Sequence, residues 1–288
     1  MLTEVPSLTW EQKETLEQSN PELKWGRHLD MGRGLQCRND REPFDDVRVR
    51  KALRMAIDNK EIAETYYGGN AYWFTTPGLG AGSPYYTQFE DYPEEVQEGY
   101  IYNPEKAKAL LAEAGYPSGF KTDIVMHSGE PVNLIEVVKA YWAEIGIDLE
   151  INVVDYAART AILYGRKYDQ IALSWEGGSG EPVFALKWYY KEVPWNFTCT
   201  DDPVFNKMID DIELEPDPIK RGQMIREANE YTAAQHFGIG LPMAYSYDAF
   251  QPWLGGHSGE TNLGGFNRGG VFARIWIDQE LKDIMMGR

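Results

Sequence analysis

The chain has 288 residues, of which 43% are hydrophobic and 25% charged, and its formal net charge is −17. That length supports one large domain or two modest ones with a real core, and no apolar run reaches the roughly 18 residues of a membrane span. The acidic balance repels a phosphate backbone, so a nucleic-acid partner is not expected.

Residues 1–10 show neither a basic start nor an apolar core, and so do not read as a signal peptide. Cys37 and Cys199 lie far apart, and His28, His127, His236 and His257 are scattered. No zinc site, disulfide framework or other cofactor is expected from such spacing. The 9 Trp and 18 Tyr are concentrated in loop-like stretches, where aromatic side chains suggest a recognition surface.

In chain order, residues 10–19 predict a helix stopped by Asn20-Pro21. Residues 25–37 are strand-like, broken by Gly32 and Gly34. Asp45 is expected to cap a helix over 46–57, with Val49, Leu53, Ala56 and Ile57 on one face and Arg48, Lys51 and Arg54 elsewhere. Arg50 follows Asp46 at the spacing of a helical ion pair. Asp58 then caps a second helix, with Glu61 placed to complete a capping box.

Residues 66–86 read as a glycine- and tyrosine-rich loop. Asn103 caps the clearest helix, with Pro104 in its first turn, a buried face of Ala107, Leu110, Leu111 and Ala114, and Gly115 as the stop. Strands at 120–127, 147–154 and 168–175 alternate with helices at 131–145 and 155–164, the β–α–β–α–β order of an α/β domain with covered sheet faces. An irregular stretch to Asp202 follows, then helices at 203–212 and 217–236. A strand at 238–244, a Gly-rich stretch at 255–270 and a last strand near 272–277 complete the chain.

Three stretches carry a resemblance. They are Pro43-Phe44-Asp45-Asp46-Val47-Arg48-Val49-Arg50-Lys51-Ala52-Leu53 with Ala56-Ile57-Asp58; the helix from Tyr102-Asn103-Pro104-Glu105 to Ala114-Gly115-Tyr116; and Pro252-Trp253-Leu254-Gly255-Gly256 before the final strand. Together they resemble the solute-binding proteins of the peptide, dipeptide and nickel class of ABC importers, extracellular solute-binding protein family 5. The likeness runs from about Asn39 to Ile277. It implies an α/β, periplasmic-binding-protein-like type II lobe, a mixed sheet flanked by helices, with remnants of a first lobe. On that reading residues 1–39 end lobe 1, 40–243 form lobe 2, and 244–288 return to lobe 1 and extend beyond it. The resemblance further implies a periplasmic or extracytoplasmic, membrane-associated full-length protein that works with ABC permease subunits and binds solute between two lobes.

It also points to a ligand surface. The family's tryptophan at the end of a strand corresponds to Trp175. The aspartate that commonly follows it by three residues is Gly178 here, and the arginine that precedes it by three in some members is Ala172. A peptide amine needs a carboxylate in a desolvated cleft, and Glu176 or Glu181 is the expected substitute. Trp73, Trp188 and Trp195 are the further aromatic candidates, and Asn196 lies beside them in an Asn196-Phe197-Thr198 acceptor pattern.

The peptide-like solute has two rivals. One is an oligosaccharide stacked on the aromatic loops. The other is an orphan lobe used for protein interaction, with an oligomer covering the lobe-facing surface. No catalytic constellation is expected, because Asp45-Asp46, Asp201-Asp202 and Asp210-Asp211 read as helix caps.

Overall fold

The structure, a computed structural model, describes residues 8–176, 181–256 and 273–287. Helix α1 (Trp10–Ser19) starts at Thr9, whose hydroxyl accepts from the Gln12 amide while the Gln12 side chain accepts from the Thr9 amide. Strands β1 (Lys24–Leu29) and β2 (Gly32–Cys37) follow. The break between them falls at Asp30 and Met31, and Gly32 and Gly34 lie inside β2. The glycines do not interrupt the strand. They admit a neighbour, since a Cβ on Gly34 would sit 2.6 Å from Glu176 Oε2.

Helix α2 (Val47–Met55) is capped by Asp46, one residue later than expected. Asp46 accepts from the Arg48 amide and holds the Arg48 guanidinium at 2.6 Å. The anticipated Asp46–Arg50 pair therefore does not form. Arg50 is buried and donates to the carbonyls of Phe44, Gln235 and His236, because its position on α2 faces the C-terminus of a later helix. Arg54, expected on the outer face, is fully buried, donates to Ile57 O and lies 5.1 Å over the Tyr100 ring. The buried face of α2 is thus wider than its apolar residues alone.

Helix α3 (Asn59–Thr65) starts at Asp58, which accepts from the Lys60 and Glu61 amides. The box is not closed, because the Glu61 carboxylate accepts from the Tyr141 hydroxyl at 2.5 Å instead. The loop beyond carries one short strand, β3 (Ala71–Tyr72), and leads to α4 (Glu94–Glu98). Helix α5 (Pro104–Glu113) is capped by Asn103 and followed by Gly115 in the left-handed region at φ +98°. Strand β4 (Lys121–His127), helix α6 (Val132–Glu144), strand β5 (Asp148–Val154), helix α7 (Tyr156–Tyr164) and strand β6 (Ile171–Glu176) realise the expected alternation.

The stretch expected to be irregular contains a short helix, α8 (Pro182–Leu186), and a 3-10 turn at Lys187–Tyr189. Helices α9 (Pro203–Leu214) and α10 (Pro218–Gln235) follow. The single strand expected at 238–244 is two strands in two sheets, β7 (Ile239–Gly240) and β8 (Met243–Phe250). Pro242 falls between them, where its missing N–H ends the ladder. Strands β9 (Leu254–Gly255) and β10 (Trp276–Ile277) pair with each other, and an unanticipated helix, Gln279–Met286, ends the described chain.

The central sheet has the order β5–β4–β6–β2–β7. Strand β4 is parallel to β5 and β6, while β2 is antiparallel to β6 and β7. Alternation along each strand divides the core between the two faces. Leu35, Leu53, Ile124, Val138, Trp142 and Leu173 belong to one buried cluster. Phe74, Tyr100, Leu186, Tyr189, Phe205 and Phe237 belong to another.

A smaller antiparallel sheet, β1–β8–β3, stands beside the central one. The chain steps directly from one sheet to the other at residues 30–31 and again at 241–242. These crossings run side by side: Leu241 N donates to Arg33 O at 2.8 Å, and Asp30 N donates to Ala244 O at 3.0 Å.

Candidate functional site

The parallel strands β4 and β6 bring their carboxyl ends to the same edge of the sheet, the edge where open α/β sheets place ligand crevices. Trp175 sits at that end of β6. Its cross-strand partner on β2 is Arg33, and directly opposed residues share a face and touch. The Arg33 guanidinium carbon lies 3.5 Å from the centre of the Trp175 ring. Such a cation–π stack is worth about 0.5–2 kcal/mol, more as water is excluded. Trp175 nonetheless remains 38% exposed.

Around this pair opens a cavity of about 290 Å³. The two crossings supply Asp30, Met31 and Pro242, and the start of β8 supplies Ala244. The turn after β4 supplies Gly129, Glu130 and Pro131, and Tyr67 closes the wall. The groove thus forms at the junction of the two sheets.

Its charges are unequal in their partners. Glu130 is buried, accepts from the His127 amide at 2.8 Å and is paired with Arg159 Nη2 at 3.1 Å. Asp30 accepts from the Met31 amide at 2.8 Å and from Ser246 Oγ at 3.4 Å. Arg33 has no hydrogen-bonded or ion-paired partner for its guanidinium among the described residues. Burial lowers its pKa, against the pull of the Glu130 and Asp30 carboxylates, and it stays a cation at neutral pH. Burial also raises the pKa of the Tyr67 hydroxyl, which is therefore neutral in the groove.

Of the residues singled out from sequence, Trp175 alone reaches this cavity among those described. Glu176 points through the sheet to the opposite side and is buried. Its Oε1 accepts from the Tyr189 hydroxyl at 2.5 Å and the Gly78 amide at 3.3 Å, and its Oε2 accepts from Gln36 Nε2 at 3.0 Å. Glu181 is exposed and caps α8 through the Phe184 amide at 2.7 Å. Gly178 lies outside the described residues. Ala172 is fully buried.

Trp73 packs on Phe74 and Phe89 with Lys60 Nζ 4.4 Å over its ring, beside a separate cavity of about 230 Å³. Trp188 packs against the second core cluster, and Trp195 packs against Phe184 and the small cluster holding Phe197. Asn196 is buried, donating to Tyr190 O and Thr200 O and accepting from Thr198 Oγ1. The acceptor pattern there is an internal turn, closed to a glycan in the folded chain.

The expectation that loop aromatics form a recognition surface is likewise corrected. Phe74, Tyr86, Tyr92, Tyr100 and Tyr189 are all buried in the second core cluster, because the glycine-rich loop folds back over α8 and α10. Sequence reasoning missed Asp30, Met31, Arg33, Tyr67 and Glu130. The one available signal was Gly32-Arg33-Gly34, a cation flanked by glycines inside a strand. Among the described residues no three His, Cys, Asp or Glu side chains are grouped to hold a metal ion.

Residues 3–197 match the model of the bacterial extracellular solute-binding proteins, family 5 Middle. Heme-binding protein A of Haemophilus influenzae is 37% identical over 158 residues, which are 50% of this chain and 26% of that protein. The dipeptide-binding protein of Escherichia coli is 31% identical over 148 residues, 49% of this chain and 26% of that one. Among solved structures, the periplasmic binding protein DppA from Helicobacter pylori in complex with peptide STSA superposes with a TM-score of 0.75 at 23% identity. That match covers 95% of this chain and 52% of the other, so the chain spans about half the length of this structural relative. The fold is that of a type II periplasmic binding protein, and the chain belongs to the bacterial extracellular solute-binding protein family 5.

Proposed function

We propose that this chain captures a peptide-like solute in the groove beside Trp175, as part of the substrate-binding component of an ABC importer. The observation that carries this reading is the half-exposed Trp175 ring at the carboxyl end of β6, walling a cavity built where two sheets meet. Groups that approach a ligand gather at such ends because loops there are free to vary while the strands hold them in place. Relatives named for a dipeptide and a bound tetrapeptide support the choice of solute class. The boundary between lobes is placed at the paired crossings, residues 30–31 and 241–242. A change in the backbone angles there would swing the sheets relative to each other, and a solute touching both would favour the closed state. The full-length protein is placed outside the cytoplasm, delivering its solute to permease subunits.

The test is thermal unfolding of the chain with panels of di- to tetrapeptides, haem and oligosaccharides. A peptide at about 100 times its Kd should add about 2.7 kcal/mol of apparent stability, and Trp175→Ala should remove that gain. Stabilisation by sugars alone, or by peptides equally in wild type and Trp175→Ala, would overturn the reading.

A further inference from the structure

The groove contains one guanidinium and two carboxyl groups, and only the guanidinium is without a counterpart among the described residues. Glu130 is neutralised by Arg159 and the His127 amide. Asp30 is turned onto the Met31 amide and Ser246 at the exposed rim. Arg33 has its face covered by the Trp175 ring. A guanidinium carries its N–H donors in its own plane, so stacking leaves them at the edge. Donors held in a half-buried groove with no acceptor are costly, and a group that supplies acceptors gains accordingly. A carboxylate has two oxygens at the spacing of that fork and accepts from it bidentately. The cavity of about 290 Å³ has space for more than a carboxylate, so the rest of a small solute fits beside it.

Resting on the reading of this groove as the solute site, we infer that Arg33, held against Trp175, receives a carboxylate of the solute. The transported molecule is then an anion or a zwitterion whose negative end enters at β2. Glycines on both sides of Arg33 contribute to this placement: the face they would otherwise crowd is occupied by Glu176, which leaves Arg33 as the side chain that β2 presents to the groove.

Two measurements on the full chain test the inference. Calorimetry compares trialanine, N-acetyl-trialanine and trialanine amide. The two free acids should bind alike and the amide roughly tenfold or more weaker. In Arg33→Gln, with folding checked by its thermal transition, the acid and the amide should bind nearly equally. Separately, the Arg33 Nε–Hε signal in wild-type protein is followed by NMR during additions of sodium acetate and, at equal ionic strength, sodium chloride. Acetate should move it saturably and chloride should not. Acid and amide binding equally well, with Trp175→Ala still losing both, would overturn the carboxylate subsite while leaving the solute site standing. If no peptide binds but acetate saturates the Arg33 signal, the peptide reading fails and the subsite stands. Coincident acetate and chloride curves overturn the subsite.

Discussion

Trp175 and Glu176 are neighbours on β6, yet they look out of opposite faces of the central sheet. Trp175 is 38% exposed in the groove, while Glu176 is 1% exposed, with its carboxylate gripped by Tyr189, Gln36 and Gly78 on the far side. The strand period of two allows no other outcome once Trp175 faces the groove. Adjacency in sequence thus separates a groove-lining ring from a buried polar network.

That separation predicts different outcomes for the two residues. Glu176→Gln puts an amide N–H₂ where three donors converge, and it should cost about 1.5–3 kcal/mol of stability, the worth of hydrogen bonds to a charged group. Affinity for the solute should change little, because Glu176 does not line the groove. Urea unfolding and calorimetry on the same preparation check both parts, and a large affinity loss at unchanged stability would place Glu176 in the groove.

Two tryptophans give the complementary contrast. Trp142 on α6 is fully buried, and its indole N–H donates to Leu53 O at 3.0 Å. Trp142→Ala should destabilise by about 3–5 kcal/mol, from lost burial and the cavity left behind. Trp175→Ala removes a half-exposed ring whose main contact is Arg33, so it should cost about 2 kcal/mol at most while removing solute binding. Chemical denaturation of both variants, with the slopes compared, separates these effects.

The sequence carried the α/β alternation well, because each element announces itself locally. Asp58 and Asn103 cap the helices where expected, each accepting from amides in the first turn. The groove is a different matter. Arg33 and Trp175 are far apart in the chain and meet only through the β2–β6 register, which no local pattern encodes. The loop tyrosines misled for a related reason. A glycine-rich stretch reads as surface, but here it carries Tyr86 inward, where the hydroxyl donates to Phe74 O.

Acid should weaken the fold through His236. This residue ends α10 in the left-handed region at φ 47°, stacks on Tyr100 at 5.1 Å and is buried. Burial, aided by Arg54, Arg50 and Lys51, holds its pKa well below the ordinary 6.5. Folded His236 stays neutral where the unfolded side chain takes a proton, so its contribution is intact above pH 6.5 and declines as the pH falls toward the folded value. The slope should approach 1.4 kcal/mol per pH unit for this one group. His236→Asn tolerates the left-handed backbone and removes the titration. The difference in unfolding free energy between wild type and variant should therefore change between pH 7 and pH 5 and be flat from pH 7 to pH 8. A difference independent of pH throughout would show that His236 titrates normally.

Gly34→Ala tests the packing that sets the groove pair in place. A Cβ there would lie 2.6 Å from Glu176 Oε2, 2.8 Å from Glu176 Cβ and 2.9 Å from Gln36 Nε2. The carboxylate end can swing away, but the Cβ cannot, being fixed to β6. Overpacking of this kind typically costs about 1–3 kcal/mol. The strain falls on the β2–β6 ladder, in which Arg33 and Trp175 are the next pair along. Gly34→Ala should therefore weaken solute binding as well as stability, although residue 34 does not line the groove. Glu176→Ala alone destabilises by breaking its buried hydrogen bonds, but it removes the Oε2 contact and keeps the Cβ contact, so Gly34→Ala should cost less on that background than in wild type without becoming free. A Gly34→Ala cost of zero on the Glu176→Ala background would locate the conflict in the carboxylate alone, and an unchanged Gly34→Ala protein would mean that β2 and β6 lie further apart than the glycines require.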